Sequence, residues 1–204
     1  DMIRRAEWNY AITKPMYRTA GKTVGLIGFG RIPRAVAKKL SGFDMQILAY
    51  DPFVPEESAK ELGVKLVSFE ELVCQSDYIS VHCPLTAQTH HIVNEDVLRA
   101  MKKTAFLINT SRGATVDTEA LYRACRDGEI AGAAIDVTEQ EPLPAGSPLR
   151  TLNNLIITPH IAWYTEEAIA TLKEKLAQEI IRVYEGGQPV NIVNRNSLKG
   201  METK

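Results

Sequence analysis

From Thr23 onward, short apolar runs rich in β-branched residues alternate with segments whose apolar residues repeat at helical spacing. This alternation is typical of βαβ units around a parallel sheet, because helices must cover a sheet that is apolar on both faces. The runs predict strands over residues 23–27, 46–50, 64–67, 78–81, 105–109, 131–135 and 155–157. We therefore predict an α/β fold with a doubly wound parallel sheet.

Helical patterns separate and follow these strands. The first has a predicted core face of Ile32, Ala35, Val36 and Leu40. A second begins at the capping residue Asp117, ends at Gly128 and is predicted to pack through Leu121, Ala124 and Cys125. The longest runs from about Thr165 to Gly186, with an apolar stripe of Ile169, Leu172, Leu176, Ile180 and Val183.

The composition disfavours partners that are recognised by bulk charge. The chain has 24 Lys and Arg against 25 Asp and Glu, so it offers no basic field to nucleic acid or to an anionic membrane. Its three cysteines form no Cys-x-x-Cys pair and are expected to be reduced thiols. The sequence has neither a signal-peptide pattern nor an apolar run of about 18 residues. We expect a cytoplasmic protein that binds a small molecule.

A glycine-rich run, GLIGFGRIPRAV, places Gly28 and Gly30 between a buried strand and a helix. Gly28 permits a tight turn, Gly30 lets the backbone approach a pyrophosphate, and the helix N-terminus supplies unpaired N–H groups. Pro33 replaces the third glycine of the dinucleotide fingerprint. Proline is tolerated in a first helical turn, but the sequence does not show whether helix and strand still pack closely there. Asp51 ends the second strand, where its carboxylate would bind the adenosine ribose and repel a 2′-phosphate. The pattern predicts a Rossmann-type site for NAD.

Reactive side chains follow several later strands, at the edge where open parallel sheets bind ligands. Arg112 lies beside Gly113 after the fifth strand, and its planar charged fork suits a substrate carboxylate. His160, after the seventh strand, exchanges a proton near neutral pH, and Glu141 is placed to hydrogen-bond its imidazole and favour the charged form. Each residue alone also fits an ion pair, a turn or a structural role. Their joint placement favours a catalytic group.

Other candidates carry weaker signals. His90 and His91 lie in a polar loop without carboxylates at ligand spacing, so no metal site is predicted. Cys83 is expected to line a site rather than to act as a nucleophile. Trp163, shortly after His160, fits either a wall of the active site or the core.

Six runs resemble, in order and spacing, motifs of the D-isomer-specific 2-hydroxyacid dehydrogenases, the family of phosphoglycerate dehydrogenase. They are GKTVGLIGFGRI, AYDPF, HCPLTAQTHHIVN, LINTSRGATVD, AIDVTEQEP and TPHIAWYTEEA. The last run also resembles the branch that contains the C-terminal binding proteins. The resemblance implies an NAD-dependent oxidoreductase that transfers a hydride between the nicotinamide and a D-2-hydroxy acid or 2-oxo acid, with Arg112, Glu141 and His160 as its catalytic residues. It implies NAD contacts from Gly28, Gly30, Arg31, Ile32, Asp51, Cys83, Pro84, Thr110, Asp136 and His160.

The resemblance also implies a domain organisation. Residues 1–20 are similar to the interdomain linker helix of the family, residues 21–187 to its NAD-binding domain, and residues 188–204 to a tail that returns to a substrate domain. Nothing in the chain resembles the substrate domain itself, so we expect a part of a longer protein that is inactive alone. The family also suggests a homodimer.

Three other functions compete with this interpretation. An NAD(H)-sensing regulatory protein, similar to a corepressor, would use the same cofactor site without turnover. A Rossmann-like methyltransferase would share the glycine loop and acidic strand end but would give no role to Arg112 with His160. A short-chain dehydrogenase is disfavoured, because its Tyr-x-x-x-Lys pair occurs only as Tyr10 and Lys14, before the glycine loop.

Overall fold

The computed structural model describes residues 3–9, 11 and 16–192. The chain forms two compact units, Asp1–His160 and Ile161–Lys204. The predicted linker helix over residues 1–20 lies partly outside the described residues, and within them Ile3–Arg5 forms a 3-10 turn. Most of the predicted tail, from residue 193 onward, also lies outside them. The domain boundaries at residues 20 and 187 stay predictions.

The first unit is built on a seven-stranded parallel sheet. Its strands are β1 (Thr23–Ile27), β2 (Gln46–Tyr50), β3 (Lys65–Leu66), β4 (Tyr78–Val81), β5 (Phe106–Asn109), β6 (Gly132–Ile135) and β7 (Leu155–Ile157). They pair in the order β3-β2-β1-β4-β5-β6-β7, and every pair is parallel. The predicted doubly wound sheet is confirmed. The strand order reverses between β1 and β4, which is where such sheets bind ligands.

Two apolar cores cover this sheet. The helices between its strands, in the part of the chain that the structure describes, are α1 (Arg31–Leu40), α2 (Glu56–Lys60), α3 (Phe69–Gln75), α4 (Glu95–Ala100) and α5 (Thr118–Arg126). Helices α1 and α2 share one core with Leu26, whereas α3, α4 and α5 share the other with Ile27. Because neighbouring residues of a strand point to opposite faces, the two cores lie on opposite sides of the sheet.

Side-chain caps fix where several helices begin. Ser68, Asn94 and Asp117 each accept a backbone N–H from the first turn of α3, α4 and α5. Gly128, with a left-handed φ of 68°, follows the end of α5. The predicted cap, end and packed face of α5 are therefore confirmed.

The predicted core face of α1 is partly wrong. Ile32 is 69% exposed and Ala35 is also exposed, whereas Pro33 and Ala37 are buried. Pro33 lies in the first turn, where its missing N–H would have had no helical partner. The buried proline therefore lies where the third glycine of the fingerprint usually allows the helix to pack closely on the strand.

The second unit contains one long helix among its described residues, α6 (Glu166–Tyr184), which begins with a cap from Thr165 to the Ala168 N–H. Its bounds agree with the prediction. Most of its apolar stripe is exposed: no residue of α6 is buried, Leu172 is 62% exposed, and Ile169 is half-buried. None of the helices described combines the length and the hydropathy that crossing a membrane requires.

Candidate active site

The glycine loop lies between β1 and α1, beside the point where the strand order reverses. Gly28 has a left-handed φ of 92°, and a Cβ there would lie 2.9 Å from the Cys83 backbone nitrogen. Gly30, the residue before α1, has open space where a Cβ would be, and no side chain caps this described helix. The helix N-terminus can therefore receive a phosphate. Arg31 is exposed at the first position of α1.

Asp51 holds the glycine loop through both of its carboxylate oxygens. Oδ2 accepts the Phe29 N–H at 2.8 Å, and Oδ1 accepts the Phe53 N–H at 2.9 Å. Each oxygen has two lone pairs, so the carboxylate can still accept a hydrogen bond from a ribose hydroxyl. Asp51 lines the glycine-loop cavity, a space of about 470 Å³ whose walls include Gly28, Gly30, Phe53, Cys83 and Pro84.

A second space, the Arg112 cavity, has a volume of about 620 Å³ and lies beyond the ends of β4 and β5. Its walls include Ile32, Cys83, Pro84, Thr110 and Arg112. Cys83 and Pro84 line both cavities, so the two spaces share a wall. The exposure of Ile32, unexpected for a core residue, is explained by its place in this wall.

The loop that carries Arg112 is held mainly by its backbone. The Arg112 carbonyl oxygen accepts a hydrogen bond from Asn109 Nδ2 at 3.0 Å and another from Thr115 Oγ1 at 2.7 Å. The guanidinium is exposed and donates through Nη1 to the Ser111 carbonyl oxygen at 2.7 Å. A guanidinium has five N–H donors, so it can bind a carboxylate in addition.

Gly113 packs the Arg112 loop against the loop that follows β6. A Cβ at Gly113 would lie 2.0 Å from both the carbonyl carbon and the carbonyl oxygen of Thr138, and 2.5 Å from the Glu139 nitrogen. Such distances leave no room for a side chain. Glycine at this position therefore sets the spacing between the loops of Arg112 and Glu141.

His160 and Glu141 form the hydrogen bond that the sequence predicts. His160 Nδ1 lies 2.8 Å from Glu141 Oε2, and Glu141 Oε1 accepts the Thr138 N–H at 3.1 Å. The hydrogen bond from His160, together with that from Thr138, lowers the pKa of Glu141. An ionised carboxylate can only accept hydrogen bonds, so Nδ1 carries a proton. Proton exchange with a ligand would therefore take place at Nε2.

The backbone holds His160 in an uncommon conformation. His160 has a left-handed φ of 55°, and its N–H donates to the Asp136 carbonyl oxygen at 2.8 Å. A non-glycine residue held in this region costs on the order of 1 kcal/mol, and such residues cluster at functional sites. With Asp136, Glu141 and Thr158, His160 lines the His160 cavity, a third space of about 640 Å³.

Two side chains at the end of β4 are neutral at ordinary pH. Burial lowers the pKa of His82 to about 4, and its Nε2 lies 2.9 Å from Ser80 Oγ. Burial also raises the pKa of the Cys83 thiol. A thiol that keeps its proton is a poor nucleophile, so the properties of Cys83 fit the predicted lining role.

Several residues of the glycine-loop cavity were missed by the sequence interpretation. Phe53, Thr86, Thr89 and Ile92 all line it. Thr89 Oγ1 donates to the Pro84 carbonyl oxygen at 2.6 Å, which turns the loop after β4 back on itself. A polar loop gives no sequence signal of such a return. Of these four residues, Phe53 is the one that the sequence could have indicated, because it lies two residues after Asp51. Its ring is 92% exposed.

The loop of His90 and His91 has no carboxylate at ligand spacing in the sequence, but the fold brings two carboxylates from other loops to His91. His91 Nε2 lies 3.1 Å from Glu139 Oε2, and its Nδ1 lies 3.9 Å from Asp117 Oδ2. His90, His91 and Glu139 are close enough to share an ion. However, Glu139 also accepts the Thr118 N–H at 2.9 Å, and Asp117 caps α5. These bonds explain the cluster as a bridge between loops, and no metal is assigned to it.

Trp163 belongs to the second unit. It is 55% exposed, and its ring meets that of Tyr164 edge-on at a centroid distance of 5.7 Å. A place in the core is therefore ruled out for Trp163, and a role as a wall of the active site stays a prediction.

Comparisons with known proteins agree with this geometry. Residues 1–162 match the family model of the D-isomer specific 2-hydroxyacid dehydrogenase, NAD binding domain. The chain is 44% identical over 200 residues to a glyoxylate reductase from Korarchaeum cryptofilum, covering 97% of this chain and 60% of that protein. It is 42% identical over 197 residues to a D-3-phosphoglycerate dehydrogenase from Methanocaldococcus jannaschii, covering 96% of this chain and 37% of that protein.

Solved structures show the same fold. A D-lactate dehydrogenase with NAD+ from Lactobacillus jensenii matches with a TM-score of 0.86 at 29% identity, over 94% of this chain and 61% of that one. The chain thus spans about 60% of the length of the first relatives that it matches.

Proposed function

Because the chain belongs to the D-isomer specific 2-hydroxyacid dehydrogenase family and contains its NAD-binding domain, we propose that the whole protein is an NAD-dependent oxidoreductase. It interconverts a D-2-hydroxy acid and the corresponding 2-oxo acid. The observation that carries this proposal is the 2.8 Å hydrogen bond between His160 Nδ1 and Glu141 Oε2, at the ligand-binding edge of the sheet. The names of the relatives, a glyoxylate reductase and a D-3-phosphoglycerate dehydrogenase, support the same reaction class.

The residues of the glycine-loop cavity fit a dinucleotide. Gly28 brings the end of β4 against the turn, and Gly30 leaves the start of α1 open to a pyrophosphate. Asp51 provides an acceptor for the ribose hydroxyls in the same cavity, and its charge disfavours a 2′-phosphate. When bound, NADH supplies the hydride that reduces the 2-oxo carbon.

His160 acts as the general acid in the reduction and as the general base in the oxidation. Glu141 accepts the Nδ1–H and orients the ring, so that Nε2 faces the substrate and gives its proton to the oxygen on the 2-oxo carbon as that oxygen gains negative charge. In the opposite direction Nε2 accepts the hydroxyl proton of the 2-hydroxy acid. The lowered pKa of Glu141 keeps the orienting carboxylate charged in both directions.

Arg112 binds the substrate carboxylate. Its guanidinium is exposed on a loop whose backbone is fixed by Asn109 and Thr115, which lets the charged fork meet a carboxylate without moving the loop. The Gly113 contact keeps this anchor in register with the loop of Glu141. The whole protein completes the cleft with residues beyond this chain, since the chain spans only part of its relatives.

Calorimetry and kinetics together test the proposal. Titration of this chain with NADH is expected to give binding, while reduction of a small 2-oxo acid by the chain alone is expected to be negligible. Positioning of substrate and exclusion of water supply about 7 to 11 kcal/mol of barrier lowering, most of which an open cleft lacks. Absence of NADH binding would refute the cofactor site. Turnover by these 204 residues at an ordinary enzymatic rate would refute the need for a further domain.

A further inference from the structure

The loop that follows β4 is joined at His91 to the segment that follows Arg112. The His91 N–H donates to the Ala114 carbonyl oxygen at 2.8 Å, and the Val93 N–H donates to the Thr115 carbonyl oxygen at 3.1 Å. These backbone bonds run side by side and do not involve the His91 ring. The backbone of His91 is therefore fixed relative to the loop of Arg112, whatever its side chain contacts.

The side chain of His91 reaches a third loop, the one that follows β6. Its Nε2 lies 3.1 Å from Glu139 Oε2, and Glu139 Oε1 accepts the Thr118 N–H at 2.9 Å. Burial alone would raise the pKa of Glu139, but the hydrogen bonds from Thr118 and His91 outweigh burial and lower that pKa. The carboxylate is therefore charged at neutral pH. Because it can only accept hydrogen bonds, His91 Nε2 is the donor.

The other groups around His91 leave this bond as the contact through which its side chain acts. Asp117 Oδ2 lies 3.9 Å from Nδ1, beyond hydrogen-bond distance, and the His90 ring stacks on the His91 ring at a centroid distance of 4.0 Å. His91 also has a left-handed φ of 49°. Non-glycine residues held in this region are strained and cluster at functional sites.

A hold on Glu139 is also a hold on the carboxylate of Glu141. The Thr138 N–H donates to Glu141 Oε1 at 3.1 Å, and Thr138 Oγ1 donates to the Gln140 carbonyl oxygen at 2.7 Å. The loop after β6 is thus bonded internally around Glu139 and carries the Glu141 side chain with it. A displacement of Glu139 would therefore move Glu141 as well.

We propose that His91 is a positioning residue for the catalytic pair: through Glu139 it holds the loop after β6 so that the Glu141 carboxylate stays in place to orient His160. This inference rests on the proposed function. Loss of the bond between His91 and Glu139 should lower kcat, because Glu141 acts in the chemical step. NADH affinity should stay unchanged, since neither bonded residue lines the glycine-loop cavity.

The first measurement follows the Thr138 amide by NMR hydrogen exchange in the full chain. Its N–H donates to Glu141 Oε1, so its protection reports how firmly that carboxylate is held. We expect His91→Ala to speed this exchange about tenfold, the factor for loss of one hydrogen bond to a charged group. His91→Gln, whose amide can donate in place of Nε2, should restore the protection. Unchanged Thr138 exchange in His91→Ala would overturn the inference.

The second measurement is steady-state reduction of a small 2-oxo acid by the whole protein. We expect His91→Ala to lower kcat about tenfold, less than the roughly hundredfold loss for a misplacement of about 1 Å, because Glu139 keeps its bond to Thr118. NADH affinity should not change, and His91→Gln should recover most of the lost kcat. Equal losses of kcat and NADH affinity would overturn the inference, because they would mark a merely structural role.

Glu139→Ala tests the same bond from the other side, which covers the case in which His91→Ala does not fold. Its matched control is Glu71→Ala, which removes a carboxylate bonded to Lys65 at 3.0 Å and 33% exposed, against 32% for Glu139. We expect Glu139→Ala to lower kcat and the control to leave it unchanged. Equal kcat in Glu139→Ala and the control would overturn the inference.

A double-mutant cycle separates the pair from two independent effects. Added to Glu139→Ala, the His91→Ala substitution should have no further effect on kcat, since its partner is already gone, and full additivity would overturn the inference. Loss of turnover on adding EDTA would also overturn it, because an ion would then join His90, His91 and Glu139. A whole protein that reduces no 2-oxo acid would instead refute the proposed function. The exchange of Thr138 in the chain alone distinguishes the two failures.

Discussion

Gly113→Ala is the substitution whose effect the structure defines most sharply. The new methyl carbon would lie 2.0 Å from the Thr138 carbonyl carbon and 2.5 Å from the Glu139 nitrogen, whereas ordinary contact begins at 3.4 Å. The two loops must therefore separate by about 1 Å or more, and overpacking of this kind costs about 1 to 3 kcal/mol. For a chain of this size, each kcal/mol lowers the melting temperature by about 2 to 4 °C.

The same displacement should reduce turnover of the whole protein. The separated loops carry Arg112 and Glu141, and a misplacement of about 1 Å can cost about a hundredfold in rate. Gly146→Ala is the control, because a Cβ there meets no atom within 4 Å and its φ is not left-handed. Calorimetric melting and steady-state kinetics measure both effects. Equal melting temperatures and rates for the two variants would refute the proposed role of Gly113 as a spacer.

Three further predictions concern single side chains. Asp51→Ser should narrow the preference for NADH over NADPH in calorimetric titrations, because the carboxylate repels a 2′-phosphate; equal affinity of the unmodified chain for both would remove that argument. Arg112→Ala and His160→Ala should each reduce turnover of the whole protein while NADH affinity, followed by fluorescence, stays nearly unchanged; loss of binding in both would mark them as structural residues. Iodoacetamide at about pH 8 should label the exposed Cys74 first and Cys125 last in peptide mass spectra, since burial raises the pKa of the Cys125 thiol to about 11. Early labelling of Cys125 would contradict the packing of α5.

The sequence predicts the strands well because burial on both faces leaves a strong local signal. The bounds predicted for β1, β2, β4 and β7 agree with the structure, and the other three strands differ at their ends by one residue. The cap at Asp117 and the glycine loop were also found, since each depends on residues adjacent in sequence. Patterns among residues adjacent in sequence were therefore sufficient to predict the strands of the sheet, the cap of α5 and the glycine loop.

Contacts between distant loops could not be predicted in the same way. Glu139 meets His91 because the loops after β4 and β6 lie side by side, and no spacing in the sequence records that. The helical period of α1 did not distinguish Ile32, which lines the Arg112 cavity, from a core residue. Gly113 was singled out only as a loop glycine, and its contact with Thr138 became visible in three dimensions.

The most direct test of the central claim is the rate of NADH oxidation by the whole protein in the presence of small 2-oxo acids, with and without His160→Ala. If the protein is a dehydrogenase that uses His160 as its general acid, we expect enzymatic turnover of at least one of these 2-oxo acids. The rate of NADH oxidation should then fall by about a hundredfold or more in the variant. Tight NADH binding without reduction of any 2-oxo acid would contradict the account. That result would favour a regulatory protein that senses NAD(H).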